Sequence, residues 1–117
     1  MKKILTLTAF LEGTTGLALL IVPNFVVSLL LGTTLNEPAG MLVSRLTGIA
    51  LITLAVMCWL YRDSDGSGVI KGMLFYNTGA AVLLVVASLS GSSGFGIWPA
   101  SLLHAGLAAW CMKYLLK

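Results

Sequence analysis

Long apolar stretches separated by short polar segments run through the whole chain. A membrane hydrocarbon core about 30 Å thick requires about 20 apolar residues in each helix that crosses it. Stretches of this length cover residues 4–22, 41–61, 69–90 and 95–116. The pattern predicts an all-α four-helix transmembrane bundle that forms a single transmembrane domain over residues 1–117.

Residues 25–31 form an additional apolar segment that is too short to cross a membrane alone. The segment lies between Pro23 and Gly32, two residues that commonly punctuate helices. We expect either a kinked continuation of the first helix or a short interfacial helix. The remaining connections are short and rich in Gly, Ser and Asp, which predicts that consecutive helices pack as antiparallel neighbours.

Composition supports a membrane location. Only 9% of the residues are charged and 58% are hydrophobic, with a mean hydropathy of +1.00, whereas soluble domains carry roughly 25% charged residues. These values argue against a soluble domain and, despite a pI of about 9.1, against a nucleic-acid-binding protein. We expect a multi-pass integral membrane protein of a bacterial-type cytoplasmic (inner) membrane, with the lipid bilayer as its first partner.

The basic residues lie on one side of the predicted topology. Short loops rich in Lys and Arg remain in the cytoplasm, so the pattern predicts that both termini are cytoplasmic. Aromatic residues gather toward the predicted inner ends of the helices, as expected of a belt at the membrane interface. The basic set is Lys2, Lys3, Arg62, Lys71, Lys113 and Lys117, and the aromatic set is Trp59, Tyr61, Tyr76, Trp110 and Tyr114.

Each predicted helix contains one strongly polar residue. These residues are Glu12, Arg45, Asn77 and His104, and a charged group at the centre of a span costs on the order of 2.5–3.5 kcal/mol on insertion scales. Small residues share the helix face of each one, and small residues are typical of helix contacts in membranes. We therefore expect all four side chains to point into the bundle as a polar column that includes the ligand- or proton-binding site.

Three hypotheses account for this column. In the first, structural hypothesis, Glu12 and His104 satisfy one another or a backbone carbonyl, Asn77 bridges helices, and Arg45 extends outward to a lipid phosphate. In the second, the four residues line a cavity that binds or passes a small molecule or a proton, with Glu12 titrating and His104 as relay. They could also be a catalytic acid and base. Because the sequence offers no nucleophile, cofactor motif or metal-ligand spacing, we predict no catalytic residue and no cofactor, and an enzyme is the less favoured interpretation.

The two cysteines and their neighbouring methionines are candidate ligands for a copper ion. Cys58 follows Met57 and Cys111 precedes Met112, and soft sulfur ligands of this kind hold Cu(I). Neither a C-x-x-C nor a regular methionine spacing accompanies them, however. We expect free apolar cysteines rather than a metal site or a disulfide.

The first half of the chain resembles the DoxX-like group of small four-helix membrane proteins. The residues that carry the likeness are Gly13, Gly16 and Val22-Pro23 in the first helix, and Arg45-Leu46-Thr47-Gly48-Ile49 at the start of the second. This resemblance implies an architecture, and for some members an accessory role in membrane redox systems. A second likeness, carried by Glu12 alone, is to small multidrug resistance transporters.

Together these observations predict an accessory protein or subunit of a membrane system. We expect it to bind a lipophilic small molecule in a polar-lined bundle core, and to associate with itself or with a membrane-protein partner through its Gly and Ala faces. The alternative is a proton-coupled small-molecule transporter that uses Glu12.

Overall fold

The computed structural model describes residues 1–92 and 94–117, and these residues are almost entirely helical. The helices are α1 (Lys2–Ile21), α2 (Pro23–Leu31), α3 (Pro38–Leu60), α4 (Ser67–Leu89) and α5 (Ile97–Leu115). No strand occurs in these two ranges, which confirms the all-α prediction. The described part of the chain has five helices where four were predicted, because residues 23–31 form a separate helix.

The separation of α2 from α1 has a local cause. Pro23 has no backbone N–H and its ring disfavours a helical conformation at the residue before it. Val22 accordingly leaves the helical region, with φ −128° and ψ 58°. Pro23 is then the first residue of α2, and Gly32 ends α2 in the left-handed conformation with φ 71°, a conformation that glycine adopts without steric cost.

Of the helices in the described ranges, three are long and apolar enough to cross a membrane. They are α1, α3 and α4. The remaining long helix, α5, contains Pro99, His104 and Lys113, and these residues lower its mean hydropathy. Large apolar side chains on all of the long helices are exposed on the outside of the bundle, among them Phe75 and Leu83, as expected of a surface that faces lipid.

The helices pack mainly as two antiparallel pairs, α1 with α3 and α4 with α5. The antiparallel neighbour prediction is thus correct for α1 with α3, the first two predicted membrane helices, and for α4 with α5. It is wrong for α3 and α4, which are consecutive but not closely packed. Two glycines bring α1 and α3 together: the backbone of Gly16 meets that of Gly48, where a Cβ atom on either residue would lie 2.6 Å from the other's carbonyl oxygen.

An apolar cluster joins the two helix pairs near one end of the molecule. Ile4 and Leu5 of α1 pack there with Ile70 and Met73 of α4, and all four side chains are almost completely buried. Met1, Tyr114 and Leu115 pack against the same cluster. Both chain termini therefore lie at the same end of the bundle as the connection between α3 and α4.

At the opposite end, α2 holds the connection between α4 and α5. The backbone N–H of Gly96 donates to the carbonyl oxygen of Leu29 at 2.7 Å. Gly94 lies directly against the backbone of Leu30, leaving no space for a side chain. The short helix is thus part of the packed structure.

An ion pair ties the N-terminus to the connection between α3 and α4. Lys2 Nζ lies 2.6 Å from Asp63 Oδ1, and Arg62 Nε lies 3.3 Å from Asp63 Oδ2. The hydrogen bond from Lys2 and the positive charges of Lys2 and Arg62 lower the pKa of the Asp63 carboxyl. A lowered pKa in the folded protein contributes stability that is present at neutral pH and is lost as the pH falls through that pKa.

We expect Lys2→Gln to raise the pKa of Asp63 toward its ordinary range, because the main cause of the shift is removed. Asp65 provides the internal control, since its pKa is lowered by hydrogen bonds from Ser67 rather than by Lys2. A carboxyl-carbon NMR titration of both residues in micelles measures the effect. An unchanged Asp63 titration, or equal shifts at both residues, would contradict the assigned pairing.

Candidate functional site

Four polar side chains from three helices meet in the interior, and we call Glu12, Tyr76, Asn77 and His104 the polar cluster. Glu12 of α1 is 3% exposed and Asn77 of α4 is 0% exposed. Tyr76 of α4 and His104 of α5 are partly buried. The cluster therefore connects the α1–α3 pair with the α4–α5 pair.

The Glu12 carboxylate accepts a hydrogen bond across the α1–α4 contact. The Tyr76 hydroxyl donates to Glu12 Oε2 at 3.2 Å. No basic side chain within the described ranges forms an ion pair with Glu12, since the ion pairs found there involve Asp63. Glu12 is thus a buried acid whose observed partner is a neutral phenol.

Asn77 makes the second link, between α4 and α5. Its amide nitrogen donates to the carbonyl oxygen of Met73 at 2.8 Å, which fixes its amide oxygen toward His104. The distance from that oxygen to His104 Nδ1 is 2.7 Å. Because the amide oxygen can only accept, Nδ1 carries the proton in this contact.

Tyr76 and His104 are also in contact through their rings. Their centroids are 5.6 Å apart and the rings are inclined at 84°, an edge-to-face arrangement that is favourable for aromatic pairs. Tyr76 thereby touches both the acid of α1 and the imidazole of α5. Within the described residues, every completely buried side-chain nitrogen and oxygen has a hydrogen-bond partner.

Three of the four predicted polar residues come together, but the partners differ from a simple Glu12–His104 pair. Glu12 is bonded to Tyr76, and His104 to Asn77. Tyr76, which was predicted to belong to the interfacial aromatic belt, contacts both Glu12 and His104. The signal that identifies it is position: Tyr76 follows the first residue of α4 by two and a half turns.

Arg45 lies outside the polar cluster, so the prediction that it points into the bundle is wrong. Its side chain is exposed and borders a groove of about 360 Å³ beside Pro23, Asn24 and Met41. The buried face of α3 includes Gly48, Leu51, Ala55 and Cys58. At 100° per residue, that face continues toward Ser44 rather than Arg45.

The sulfur residues considered for copper do not form a four-ligand site. Cys58 and Cys111 are free, buried and part of the same apolar cluster. Met57 and Met112, in contrast, are 39% and 43% exposed and point away from that cluster. Over residues 1–92 and 94–117, no group of three or more His, Cys, Asp or Glu side chains is arranged to hold a metal ion.

Chemically, the polar cluster can exchange protons and hydrogen bonds. A carboxyl, a phenol and an imidazole lie in contact inside an apolar bundle, where each polar interaction is stronger than in water. A molecule that carries a polar group could replace the Tyr76 hydroxyl at Glu12. The cluster contains one carboxylate, Glu12, whereas most glycosidases use two.

Comparison with known proteins adds no assignment. No family model matches the chain, and neither a curated protein nor a solved structure matches it significantly. The DoxX-like resemblance and the transporter likeness therefore stay predictions.

Proposed function

We propose that this chain is a multi-pass protein of a bacterial-type inner membrane, with α1, α3, α4 and α5 as a four-helix transmembrane bundle and both termini in the cytoplasm. The distribution of basic residues supports this orientation. Six of the seven Lys and Arg residues lie in or beside the end of the bundle that contains both termini and the Lys2–Asp63 pair. Basic residues favour the cytoplasmic side of a membrane. The short helix α2 then lies at the opposite membrane surface.

Within that membrane, the proposed role is that of an accessory protein or subunit that binds a lipophilic small molecule. The observation that carries the proposal is the buried Glu12 carboxyl, whose hydrogen-bond partner among the described residues is the Tyr76 hydroxyl at 3.2 Å. A buried ionisable group is costly to retain in a membrane protein and is a functional candidate for that reason. A ligand with an apolar body and one hydrogen-bonding group is chemically suited to replace the Tyr76 hydroxyl at this carboxyl.

Ligand content in purified protein tests the proposal. The full chain is extracted from its native membrane in mild detergent, and co-purifying small molecules are quantified by mass spectrometry against protein. We expect Glu12→Gln and Tyr76→Phe each to reduce the content of one lipophilic compound by about tenfold, which corresponds to about 1.4 kcal/mol of binding free energy.

Phe75→Leu is the matched control, because Phe75 lies next to Tyr76 on α4 but is 84% exposed on the outside of the bundle. It should retain the compound at the wild-type level. Equal content in all four proteins would contradict binding at the polar cluster. A stoichiometric membrane-protein partner or a homo-oligomer in the same preparation would support the subunit role.

Proton-coupled transport of a small molecule is the second candidate. It is favoured by the absence, among the described residues, of an ion-pair partner for Glu12, since such a carboxyl is free to bind and release a proton. In proteoliposomes, Glu12→Gln should abolish substrate-driven proton flux while the protein remains folded. Unchanged flux in Glu12→Gln would exclude this mechanism.

A further inference from the structure

An apolar groove runs along the outside of the α1–α3 pair, separate from the polar cluster. Its volume is about 380 Å³, within the roughly 300–1,000 Å³ that is typical of small-molecule sites. Its walls are apolar apart from backbone atoms. They include Ala9, Phe10 and Gly13 on α1 and Ile52, Val56 and Trp59 on α3.

Gly13 gives the groove its depth. A Cβ atom at this position would meet only the Cβ of Ala55, at an ordinary contact distance of 3.5 Å. The lack of a side chain at Gly13 is therefore not required for α1 and α3 to approach, unlike at Gly16. It leaves a channel that is open sideways to the outside of the bundle.

A basic group lies at one end of this channel. Phe10 and Trp59 close the groove with their rings edge to face at 6.0 Å, and the Arg62 guanidinium stacks on the Trp59 ring at 3.6 Å. Lys3 lies two turns before Phe10 on the same side of α1. With Lys2 and Asp63 included, the four side chains carry a net charge of +2.

We propose that the groove binds an anionic phospholipid, with one acyl chain between α1 and α3 and the headgroup phosphate at Arg62 and Lys3. The apolar walls suit the chain, and the charge at the end of the groove complements a phosphate-containing headgroup with net negative charge. Arg62 is held in position by the Trp59 ring and by donating a hydrogen bond to the Trp59 carbonyl oxygen at 2.5 Å. This site requires the chain to lie in a bilayer, but it does not depend on ligand binding at the polar cluster.

Lipid binding to the purified full chain, measured by native mass spectrometry, tests the site. The probes are phosphatidylglycerol and phosphatidylcholine with identical acyl chains. We expect wild-type protein to prefer phosphatidylglycerol, and Arg62→Gln to reduce that preference by about fivefold, because one basic charge near an anionic headgroup contributes about 1 kcal/mol. Arg62→Lys should retain most of the preference, and Lys71→Gln, at the same end but on α4, should retain all of it.

Variants that fill the groove test whether it holds an acyl chain of the lipid. We expect Gly13→Leu to weaken binding of both lipids by about tenfold, since displacing a few methylene groups from the apolar walls is sufficient. Val56→Phe fills the groove from α3 and should act in the same way, which guards against a folding defect of one variant. Gly79→Leu places the same side chain at an open position of α4 and should leave binding unchanged.

Equal binding of the two lipids by wild-type protein would overturn the proposal, as would unchanged binding in both groove-filling variants. A dimer that dissociates on Gly13→Leu and binds no lipid would also overturn it, because the groove would then be an interface between two copies. The two proposals can fail separately. If Glu12→Gln loses the co-purifying compound but still binds lipid, the lipid site in the groove is supported independently of the polar cluster.

Discussion

Gly16→Ala should lower the free energy of unfolding by about 1–3 kcal/mol, the usual cost of inserting an extra methyl group into a tight contact. The new Cβ would lie 2.6 Å from the carbonyl oxygen of Gly48 and 3.0 Å from the backbone nitrogen of Ile52. Backbone atoms cannot rotate away as a flexible side chain can, so α1 and α3 must move apart along their contact. Gly48→Ala meets the backbone of α1 in the same way and should cost a similar amount.

Reversible unfolding in mixed detergent and SDS micelles, followed by tryptophan fluorescence, measures this loss. Gly79→Ala is the matched control, because a Cβ at Gly79 has no neighbour within 4 Å. It should leave stability unchanged or raise it by about 0.4–1 kcal/mol, as expected for Gly→Ala in an open helical position. If Gly16→Ala and Gly79→Ala behave alike, α1 and α3 do not meet at Gly16 and Gly48.

Asn77→Ala should lower the free energy of unfolding by about 1–3 kcal/mol, the cost of leaving a buried polar group without its partner. Asn77 is completely buried and links the Met73 carbonyl to His104. Its removal leaves the His104 ring nitrogen without this acceptor and opens a small cavity between α4 and α5.

The same unfolding assay tests this prediction, with Thr78→Ala as control, since Thr78 is adjacent on α4 but exposed. Combining Asn77→Ala with His104→Ala should cost less than the sum of the single losses, because both remove one contact. Hydrogen bonds between membrane helices average about 0.6 kcal/mol in such cycles and reach about 1.7 kcal/mol. If the loss of unfolding free energy in the double variant equals the sum of the losses in the two single variants, Asn77 and His104 do not interact.

The helical class and the polar core residues could be predicted from the sequence because both depend on patterns within single helices. Apolar stretches of membrane length indicate helices, and Pro23 and Gly32 mark the ends of a short segment whose independence could not be decided. Glu12 and Asn77 share helix faces with small residues, and both are buried. The expectation that a polar residue beside small residues points into the bundle was wrong for Arg45. Its one small neighbour, Gly48, was not sufficient to identify the buried face of α3.

The separation of α3 from α4 and the role of Tyr76 depend on contacts between segments that are far apart in sequence. Short connections predicted that all consecutive membrane helices pack together, and α1 with α3 and α4 with α5 do so, but α3 and α4 are not closely packed. Tyr76 is 64 residues from Glu12, and a tyrosine in an apolar helix is also compatible with a membrane interface. Its position deep in α4 is informative only once the start of that helix is known.

The contact between Glu12 and Tyr76 is the centre of the account, because it joins the two helix pairs and defines the proposed binding position. Solid-state NMR of carbon-labelled protein in lipid bilayers can detect it as a cross-peak between Glu12 Cδ and Tyr76 Cζ. We expect this cross-peak in the wild-type protein, together with one between the His104 ring and the Asn77 side chain. A well-folded helical protein in bilayers that lacks the Glu12–Tyr76 cross-peak would contradict the account.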